Sequence, residues 1–408
     1  MRILIAAGEW FPDRASGYAR VVTETTRRLA ERGHEVTALV PRFGGAPSVA
    51  SERSLAVRRQ LRQGRLPVTL TDVIDTRRHT RALASSRFDL VVAHGPTSGF
   101  GVVTGQVNAP LVFVYHASPL RELRFARGRL PFGRERLSGI ALDPLLALYE
   151  RVSVARADEI LVLSDYSRRL LVGDHPRAAA KVRRVSGGVD TTAFSPGDQG
   201  KARARLGIPA NRRLLLTVRR LESRMGIEQL LRALCRLSRG IHLAVVGEGM
   251  LAPTLRRVAE ELGLAERVYF AGLVSEHDLA DWYRAADLFV LPTVAYEGFG
   301  LATAEALASG TPVVGTPIGA TPELLTPLDP RLVASAPEAE ALANAVADAL
   351  NFANPDFRAR CRRYACEQFS WESVVDAWEE ALVETAKRNT RSRPPARPAM
   401  GGATRSRS

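Results

Sequence analysis

Two glutamates, Glu297 and Glu305, flank a glycine-containing turn in the segment YEGFGLATAEALASGTPVVG (residues 296–315), where most neighbours are small or apolar. Gly298 and Gly300 allow a ligand to approach the backbone closely, and the helix predicted after them offers unpaired N–H groups to an anion. A diphosphate would suit these amides, while the two carboxylates would accept hydrogen bonds from sugar hydroxyls on either side. Taken singly, Glu305 could instead be a charge favoured by the helix dipole, and Glu297 a solvated loop residue.

The segments around this turn define where the two glutamates lie. DLFVLP (287–292) predicts a strand, and LATAEALAS predicts a helix that ends at Gly310. Glu297 is therefore expected in the loop at the carboxyl end of a strand, and Glu305 one turn into the helix. The same alternation of apolar strands and amphipathic helices runs through almost the whole chain and predicts parallel sheets covered on both faces. The other predicted strands are RILIA (2–6), EVTALV (35–40), DLVVAH (89–94), LVFVYH (111–116), EILVLS (159–164), RLLLTV (213–218), IHLAVVG (241–247), RVYFAG (267–272) and TPVVG (311–315).

The stretch SPGDQG, which begins at Ser195, has the composition of a linker and divides the strands into two series. We therefore predict an α/β fold of two Rossmann-like, doubly wound domains that cover residues 1–195 and 196–370. Ligands of such sheets bind beyond the carboxyl ends of the strands, which places a ligand in the cleft between the domains. Residues 371–388 predict an amphipathic helix, and residues 389–408 predict a disordered basic tail.

The net charge of +14 on 408 residues raises the hypothesis of a nucleic-acid-binding protein. Half of this excess lies in the segment 387–408, and the rest is concentrated in RRQLRQGR (58–65) and RELRFARGRLPFGRER (121–136). The aromatic residues of these two body segments are Phe125 and Phe132, so base stacking is poorly supported. We interpret the segments as a solvated basic face, with attraction to an anionic membrane surface or an anionic acceptor as the alternative.

Targeting signals and metal-binding patterns do not stand out in the sequence. No apolar run approaches the ~20 residues of a membrane span, and the opening segment is too short and too acidic for a signal peptide, which favours a cytoplasmic location. Cys235, Cys361 and Cys366 lack the spacing of a disulfide framework or metal site, and we interpret them as structural thiols.

A longer series of motifs accompanies the glutamate pair. GGVDTTAFSP, TVRRLESRMGIEQLL, VVGEGML and FAGLVSEHDLADWYRAADLFVLP precede EGFGLATAE in this order. The series resembles the family-four retaining glycosyltransferases, enzymes of the two-domain GT-B fold whose signature is two glutamates separated by seven residues. The resemblance implies transfer of a sugar from a UDP- or GDP-linked donor to an acceptor hydroxyl on a glycan, a lipid-linked glycan or a small molecule. It implies retention of the anomeric configuration, with neither a cofactor nor a metal ion.

The resemblance also implies roles for residues of the second half. Glu297 would contact hydroxyls of the donor sugar, and Glu305 would hold the ribose of the nucleotide. The donor site would be completed by Gly247, Gly298, Phe299, Gly300 and Leu301.

The diphosphate-binding segment, GRL…KG in the family, differs in this chain. Arg220 matches the family's arginine, but Arg219 replaces the glycine before it and Met225 stands at the lysine position. We expect Arg224, beside Met225, to supply the missing charge; the alternative is a surface ion pair between Arg224 and Glu222.

In the first half, LVFVYHASP resembles the segment whose histidine lies at the reacting sugar, which makes His116 the candidate there. Ser16 and Gly17 match a glycine-rich loop that faces the donor, and His94 is a further candidate on the acceptor side. Similar enzymes return a helix such as 371–388 to the first domain. The catalytic set implied is therefore His116, Arg220, Arg224 and Glu297.

Other functions remain open at this point. Because of Met225, a non-catalytic relative that binds a nucleotide sugar stays an alternative, and an epimerase of the GT-B fold is a second alternative. A phosphorylase would need a pyridoxal lysine segment, which the sequence lacks, and nucleic-acid binding is disfavoured. The basic first half slightly favours a lipid-linked or anionic acceptor and peripheral contact with the inner face of a membrane.

Overall fold

The computed structural model describes residues 1–14, 16–42, 48–52, 54–60, 68–128, 140 and 142–392. Parts of both predicted basic segments, residues 61–65 and 129–136, lie outside these ranges, as do residues 393–408 of the predicted tail.

The first half is built on an eight-stranded sheet of order β3-β4-β2-β1-β5-β6-β7-β8. All neighbouring strands pair in parallel except β3 and β4, which are antiparallel. Its central strands are buried on both faces, which explains their continuous apolar sequences. The strands are β1 (Arg2–Ala6), β2 (Glu35–Pro41), β3 (Val49–Glu52), β4 (Leu55–Gln60), β5 (Leu90–His94), β6 (Leu111–Tyr115), β7 (Glu159–Val162) and β8 (Val182–Arg184).

The second half is built on a five-stranded parallel sheet of order β11-β10-β9-β12-β13. Because β9 lies in the middle, the strand order changes direction beside it, and the loops after β9 and β12 leave a crevice at the carboxyl edge. The strands are β9 (Arg213–Val218), β10 (Ile241–Val246), β11 (Val268–Gly272), β12 (Leu288–Leu291) and β13 (Val313–Gly315).

Helices cover the sheets and connect the parallel strands. In the first half they are α1 (Gly17–Glu31), α2 (Val68–Ala82), α3 (Pro96–Gly105), α4 (Pro119–Gly128), α5 (Asp143–Arg156) and α6 (Asp165–Asp174). In the second half they are α7 (Gln199–Leu206), α8 (Ile227–Arg236), α9 (Ala252–Glu261), α10 (Glu276–Ala285), α11 (Leu301–Ala308), α12 (Thr321–Leu325), α13 (Ala339–Phe352) and α14 (Pro355–Phe369).

The final helix, α15 (Trp371–Ser392), extends beyond the predicted end at residue 388 and packs against the first half. Arg32, at the end of α1, forms ion pairs of 2.6 Å with both Asp376 and Glu379. The largely buried His34 lies 2.7 Å from the same Glu379. The last helix thus joins the end of the second half to the first sheet.

All ten strands that the sequence predicted are present, and three further strands, β3, β4 and β8, were not predicted. The β4 strand contains Arg58 and Arg59, which had been interpreted as part of a solvated basic face. That interpretation is wrong for Arg59, because its side chain is only 8% exposed and its Nε donates to Asp13 at 2.5 Å. The buried carboxylate of Asp13, which is distant in sequence, compensates the charge of this buried arginine in the sheet.

Candidate active site

A cavity of about 790 Å³ lies between the two sheets. It is lined by residues that follow the carboxyl ends of β1, β5 and β6 in the first half and of β9, β10 and β12 in the second. All the residues that the sequence analysis assigned to catalysis or donor binding contribute to its lining: Ser16, Gly17, His116, Arg220, Arg224, Gly247, Glu297, Gly298, Phe299, Gly300, Leu301 and Glu305. The fold therefore brings these separate segments to one place.

The loop after β12 places Glu297 in the cavity wall with its side chain 11% exposed. Its Oε2 accepts hydrogen bonds from Arg219 Nη2 at 2.5 Å and Thr293 Oγ1 at 3.0 Å. Burial alone would raise the pKa of Glu297, but the charges and hydrogen bonds of Arg219, Arg224 and Thr293 together lower it. Glu297 is therefore an ionised acceptor, suited to hydroxyl groups of a ligand.

Glu305 lies in α11, where its Oε2 accepts a hydrogen bond of 2.8 Å from the buried Tyr283 hydroxyl. Its Oε1 lies 3.4 Å from Arg20 Nε, which comes from α1 in the first half. Burial raises the pKa of Glu305, and the nearby Arg20 and Tyr283 only partly oppose this effect. The carboxylate predicted to hold the ribose thus also contacts the opposite half of the molecule.

The turn between the two glutamates requires both of its glycines. Gly300 precedes α11 with φ of +90°, a backbone conformation that L side chains rarely adopt. A Cβ on Gly298 would lie 2.6 Å from the carbonyl oxygen of His116. The carbonyl of Gly298 accepts a 2.6 Å hydrogen bond from Ser164 Oγ, so the turn is held against the first half. The N-terminus of α11 consequently opens into the cavity, as an anion site requires.

Three arginines after β9 line the second-half wall, and each pairs with a different carboxylate. Arg220, predicted to bind the diphosphate, is 48% exposed and lies 3.5 Å from Glu222. Arg224 pairs instead with Glu122 of α4 at 3.2 Å, so the alternative of a surface pair between Arg224 and Glu222 is wrong. Its Nη1 also donates to the Tyr296 carbonyl at 3.0 Å.

Arg219 was missed as a site residue and was noted only as the replacement of a glycine. Its side chain is 6% exposed, and its guanidinium contacts Glu297, Thr293 and the sulfur of Met225. The signal that could have identified it is an arginine directly after a buried strand, where other residues of the cavity also lie.

Two histidines line the first-half side of the cavity. His94 Nδ1 lies 3.0 Å from His116 Nε2, and the rings stack with centroids 5.3 Å apart. Tyr18 packs against His116, and its hydroxyl donates to the His94 carbonyl at 2.7 Å. Burial lowers the pKa of His116 to about 3, and burial together with His116 lowers that of His94 well below its usual range. Both imidazoles are therefore neutral near pH 7.

This neutral pair predicts a pH dependence of stability. A histidine whose pKa is lowered by folding binds a proton below about pH 6.5 in the unfolded chain but not in the folded chain. The free energy of unfolding is therefore highest above about pH 6.5 and decreases as the pH falls toward 3. At pH 5.5 the two histidines together should lower the free energy of unfolding by about 1–3 kcal/mol relative to pH 7.5. We expect the free energy of unfolding, measured with urea, to fall less between pH 7.5 and 5.5 in a His116→Gln variant. Equal decreases in the free energy of unfolding of the wild-type and His116→Gln proteins would show that the histidine pair does not cause this pH dependence.

The first-half loop that contains Ser16 and Gly17 lies opposite α11. Ser16 caps α1 by accepting a hydrogen bond of 3.0 Å from Ala19 N, and its hydroxyl donates to Glu9. A Cβ on Gly17 would approach the Leu301 side chain to 3.3 Å. The absence of a side chain at Gly17 thus permits close approach of the two walls.

Within the described ranges, no group of three or more His, Cys, Asp and Glu side chains is arranged to hold a metal ion. The helices of that same part of the chain are all too short or too polar to cross a bilayer.

Two family models match the chain in succession. The model described as Glycosyltransferase Family 4 matches residues 15–193, and the model described as Glycosyl transferases group 1 matches residues 198–368. Together they include every strand except β1, which lies before residue 15, and nearly all the cavity residues.

Curated relatives match a shorter region. The D-inositol 3-phosphate glycosyltransferases of Mycobacterium tuberculosis and Mycobacterium bovis are 36% identical over 242 residues, which is 57% of this chain and 50% of each relative. The chain therefore matches about half the length of these relatives.

Solved structures resemble the chain over most of its length. Sucrose-phosphate synthase from Thermosynechococcus elongatus superimposes with a TM-score of 0.79 at 22% identity, covering 95% of this chain and 100% of that one. HepE from Anabaena in complex with UDP and glucose gives a TM-score of 0.75 at 18% identity, covering 94% and 99%. WaaG, a glycosyltransferase involved in lipopolysaccharide biosynthesis, gives 0.73 at 18% identity, covering 93% and 99%. These likenesses show the GT-B fold that the sequence predicted.

Proposed function

This chain belongs to glycosyltransferase family 4, and we propose that it transfers a sugar from a nucleoside diphosphate donor to an acceptor hydroxyl with retention of the anomeric configuration. The observation that carries the proposal is the convergence of Glu297, Glu305 and the α11 N-terminus on one wall of the cavity, with His116 opposite. HepE, whose structure holds UDP and glucose, supports a nucleotide-sugar donor through its similar fold.

The donor is placed by groups of complementary chemistry. Glu305 accepts hydrogen bonds from the ribose hydroxyls, and ionised Glu297 accepts them from the sugar. The diphosphate lies between them, where the N–H groups at the start of α11 and the arginines after β9 offer positive charge. The proposed order of ribose, diphosphate and sugar along the wall is the order in which these groups are joined in a nucleotide sugar.

Catalysis in this proposal is mainly electrostatic. As the bond between the anomeric carbon and the phosphate oxygen lengthens, positive charge develops on the sugar and negative charge on the diphosphate. Preorganised cations and backbone N–H groups stabilise the departing phosphate, and such stabilisation is usually the largest catalytic contribution. The same groups supply the charge for which a divalent ion would otherwise be needed, so we propose a reaction that is independent of metal.

Retention follows when acceptor attack and phosphate departure occur on one face of the sugar. The phosphate oxygen then takes the acceptor's proton, and no side-chain nucleophile is required. His116, neutral and beside the reacting sugar, can hydrogen-bond with a substrate hydroxyl without adding a positive charge near the forming cation. Closure of the two walls excludes water that would hydrolyse the donor.

The acceptor is proposed only as a hydroxyl-bearing compound. The curated relatives named for D-inositol 3-phosphate favour a polyol or sugar, whether free, lipid-linked or part of a glycan. A cytoplasmic location with peripheral contact at the inner face of a membrane stays a prediction.

The proposal is tested first by nucleotide binding to the full chain. Among UDP, GDP, ADP and their sugar conjugates, one base should selectively raise the thermal unfolding midpoint, because a ligand of the folded state stabilises it. Glu305→Ala should weaken donor binding roughly 30-fold, or about 2 kcal/mol, because charge-assisted hydrogen bonds to the ribose are lost. Glu276→Gln is the matched control: it removes the exposed carboxylate that also pairs with Arg20 and should change affinity less than about 3-fold.

Turnover distinguishes the proposed transfer from its alternatives. Release of free nucleoside diphosphate only when acceptor is present would separate transfer from epimerisation, and NMR of the product would give the anomeric configuration. An inverted product would overturn the mechanism, whereas failure to bind any of these nucleotides would overturn the function. Binding without turnover over a broad panel of acceptors would favour the non-catalytic alternative.

A further inference from the structure

Of the three arginines after β9, two are engaged in ways that reduce their availability to a ligand. Arg220 is half exposed, where water screens its charge, and it lies beside Glu222. Arg224 donates to the Tyr296 carbonyl and pairs with Glu122 across the cleft, so its guanidinium connects the two halves. Arg220 is therefore not buried, and Arg224, although its side chain is only 11% exposed, is committed to partners in both halves.

Arg219 is also buried, but its side-chain contacts with Thr293, Met225 and Glu297 all lie within the second half. Its side chain is 6% exposed, which removes it from bulk water, and it lines the cavity. Nη1 donates to Thr293 Oγ1 at 2.7 Å, and Nη2 donates to Glu297 Oε2 at 2.5 Å. The guanidinium is therefore held rigidly beside the carboxylate that is proposed to bind the donor sugar.

One contact of Arg219 joins a strong hydrogen-bond donor to a weak acceptor. Nη2 also lies 2.9 Å from the sulfur of Met225, and a thioether is only a weak hydrogen-bond acceptor. A phosphate oxygen is a far stronger acceptor for that N–H group, so exchange of one for the other is favourable. Position 225 is where the resemblance noted above places the family's lysine, so the guanidinium of Arg219 contacts the residue that replaces this charge.

We propose that Arg219 is the cation that stabilises the diphosphate leaving group, in place of a lysine at position 225; this assignment rests on the proposed glycosyl transfer. The bond between the anomeric carbon and the β-phosphate oxygen breaks with its electron pair on that oxygen, and Nη2–H of Arg219 donates to the same phosphate group. The acceptor oxygen bonds to the anomeric carbon, and its proton passes to the leaving phosphate. Glu297 keeps the guanidinium in place while it binds the sugar.

The test compares a nucleoside diphosphate with its monophosphate, because only the former carries the leaving phosphate. The probe is whichever of UDP, GDP and ADP binds the wild-type chain most tightly in calorimetry, together with UMP, GMP or AMP of the same base. Arg219→Gly should weaken diphosphate binding by about 100-fold and monophosphate binding much less, because a charge-assisted contact is lost. Arg220→Gly, with the same change in charge, should give a smaller loss.

A swap of the two positions keeps the test independent of folding defects. The double variant Arg219→Gly, Met225→Lys restores the family's arrangement and should regain at least about tenfold of the lost diphosphate affinity, since a cation returns to the same place. Met225→Lys alone brings two cations together and should not improve binding. In a transfer assay, Arg219→Gly should lower kcat more than it raises the donor KM, because the phosphate charge grows in the transition state.

Each outcome has a distinct meaning. An unchanged ratio of diphosphate to monophosphate affinity in Arg219→Gly would overturn the assignment while leaving the proposed function intact. So would a double variant that folds and binds no better than Arg219→Gly. If the wild-type chain binds none of the three diphosphates, the proposed function fails, and the role of Arg219 fails with it.

Discussion

Glu297→Ala is expected to lower kcat/KM by roughly 1000-fold, equivalent to about 4 kcal/mol of transition-state stabilisation. Two lost interactions contribute to this decrease in kcat/KM. The hydrogen bonds of an ionised carboxylate to the donor sugar are each worth roughly 1.5–3 kcal/mol. In addition, the buried guanidinium of Arg219 loses its partner at 2.5 Å and is no longer held in place.

Steady-state transfer kinetics check this prediction, with the unfolding midpoint measured to confirm that the variant folds. Glu297→Gln retains the shape and one acceptor oxygen, so its activity should lie between those of wild type and Glu297→Ala. Glu228→Ala is the matched control, because it removes a carboxylate that is 52% exposed and pairs with Arg232 of the same helix face. A folded Glu297→Ala variant within tenfold of wild type would remove Glu297 from the mechanism.

Gly226→Ala should cause a large loss of stability, more than about 3 kcal/mol, which corresponds to a fall of at least roughly 3 °C in the unfolding midpoint of a chain of 408 residues. Gly226 has φ of +72°, and an added Cβ would lie 1.8 Å from the carbonyl oxygen of Pro292. The clash is with backbone, so it can be relieved only by moving the loop after β12. That loop is joined to the preceding turn by Val294 N, which donates to the Arg224 carbonyl at 2.9 Å.

Gly207→Ala is the control that separates this clash from the strain of a positive φ. Gly207 has a similar φ of +68°, but a Cβ added there would meet nothing within 4 Å beyond its chain neighbours, so the substitution should cost only about 1 kcal/mol. Both variants are compared by thermal unfolding. Equal losses would show that backbone conformation, rather than contact with Pro292, is what requires glycine at position 226.

Much of the fold could be predicted because the information lies within short segments. A central parallel strand is buried on both faces, so RILIA and RLLLTV stand out as continuous apolar runs. The strand LAVRRQ was missed because its charged residues conceal it. The distant Asp13, brought beside Arg59 by folding, makes that strand compatible with burial.

In the arginine segment after β9, the environment of each side chain depends on contacts distant in sequence. The resemblance implied Arg220 at the diphosphate; both Arg219 and Arg220 line the cavity, but the side chain beside Glu297 is that of Arg219. Pairing with β10 continues past the end of β9, since Arg219 N donates to Val246 O and Leu221 N donates to Glu248 O, each at 2.9 Å. Successive side chains along an extended strand point to opposite sides, which places Arg219 beside Glu297 and leaves Arg220 48% exposed.

The sequence by itself determined the two series of strands and helices, the turn with its two glutamates, and the positions at strand ends where ligand-binding groups would lie. These features depend on local periodicity and on residue types that suit a helix start or a tight turn. Only the tertiary structure decided the partners: Glu305 with Arg20 of the other half, Arg224 with Glu122, and Arg219 with Glu297. The physical reason is that an ion pair depends on distance in space, and residues far apart in the chain reach that distance only when both sheets are assembled.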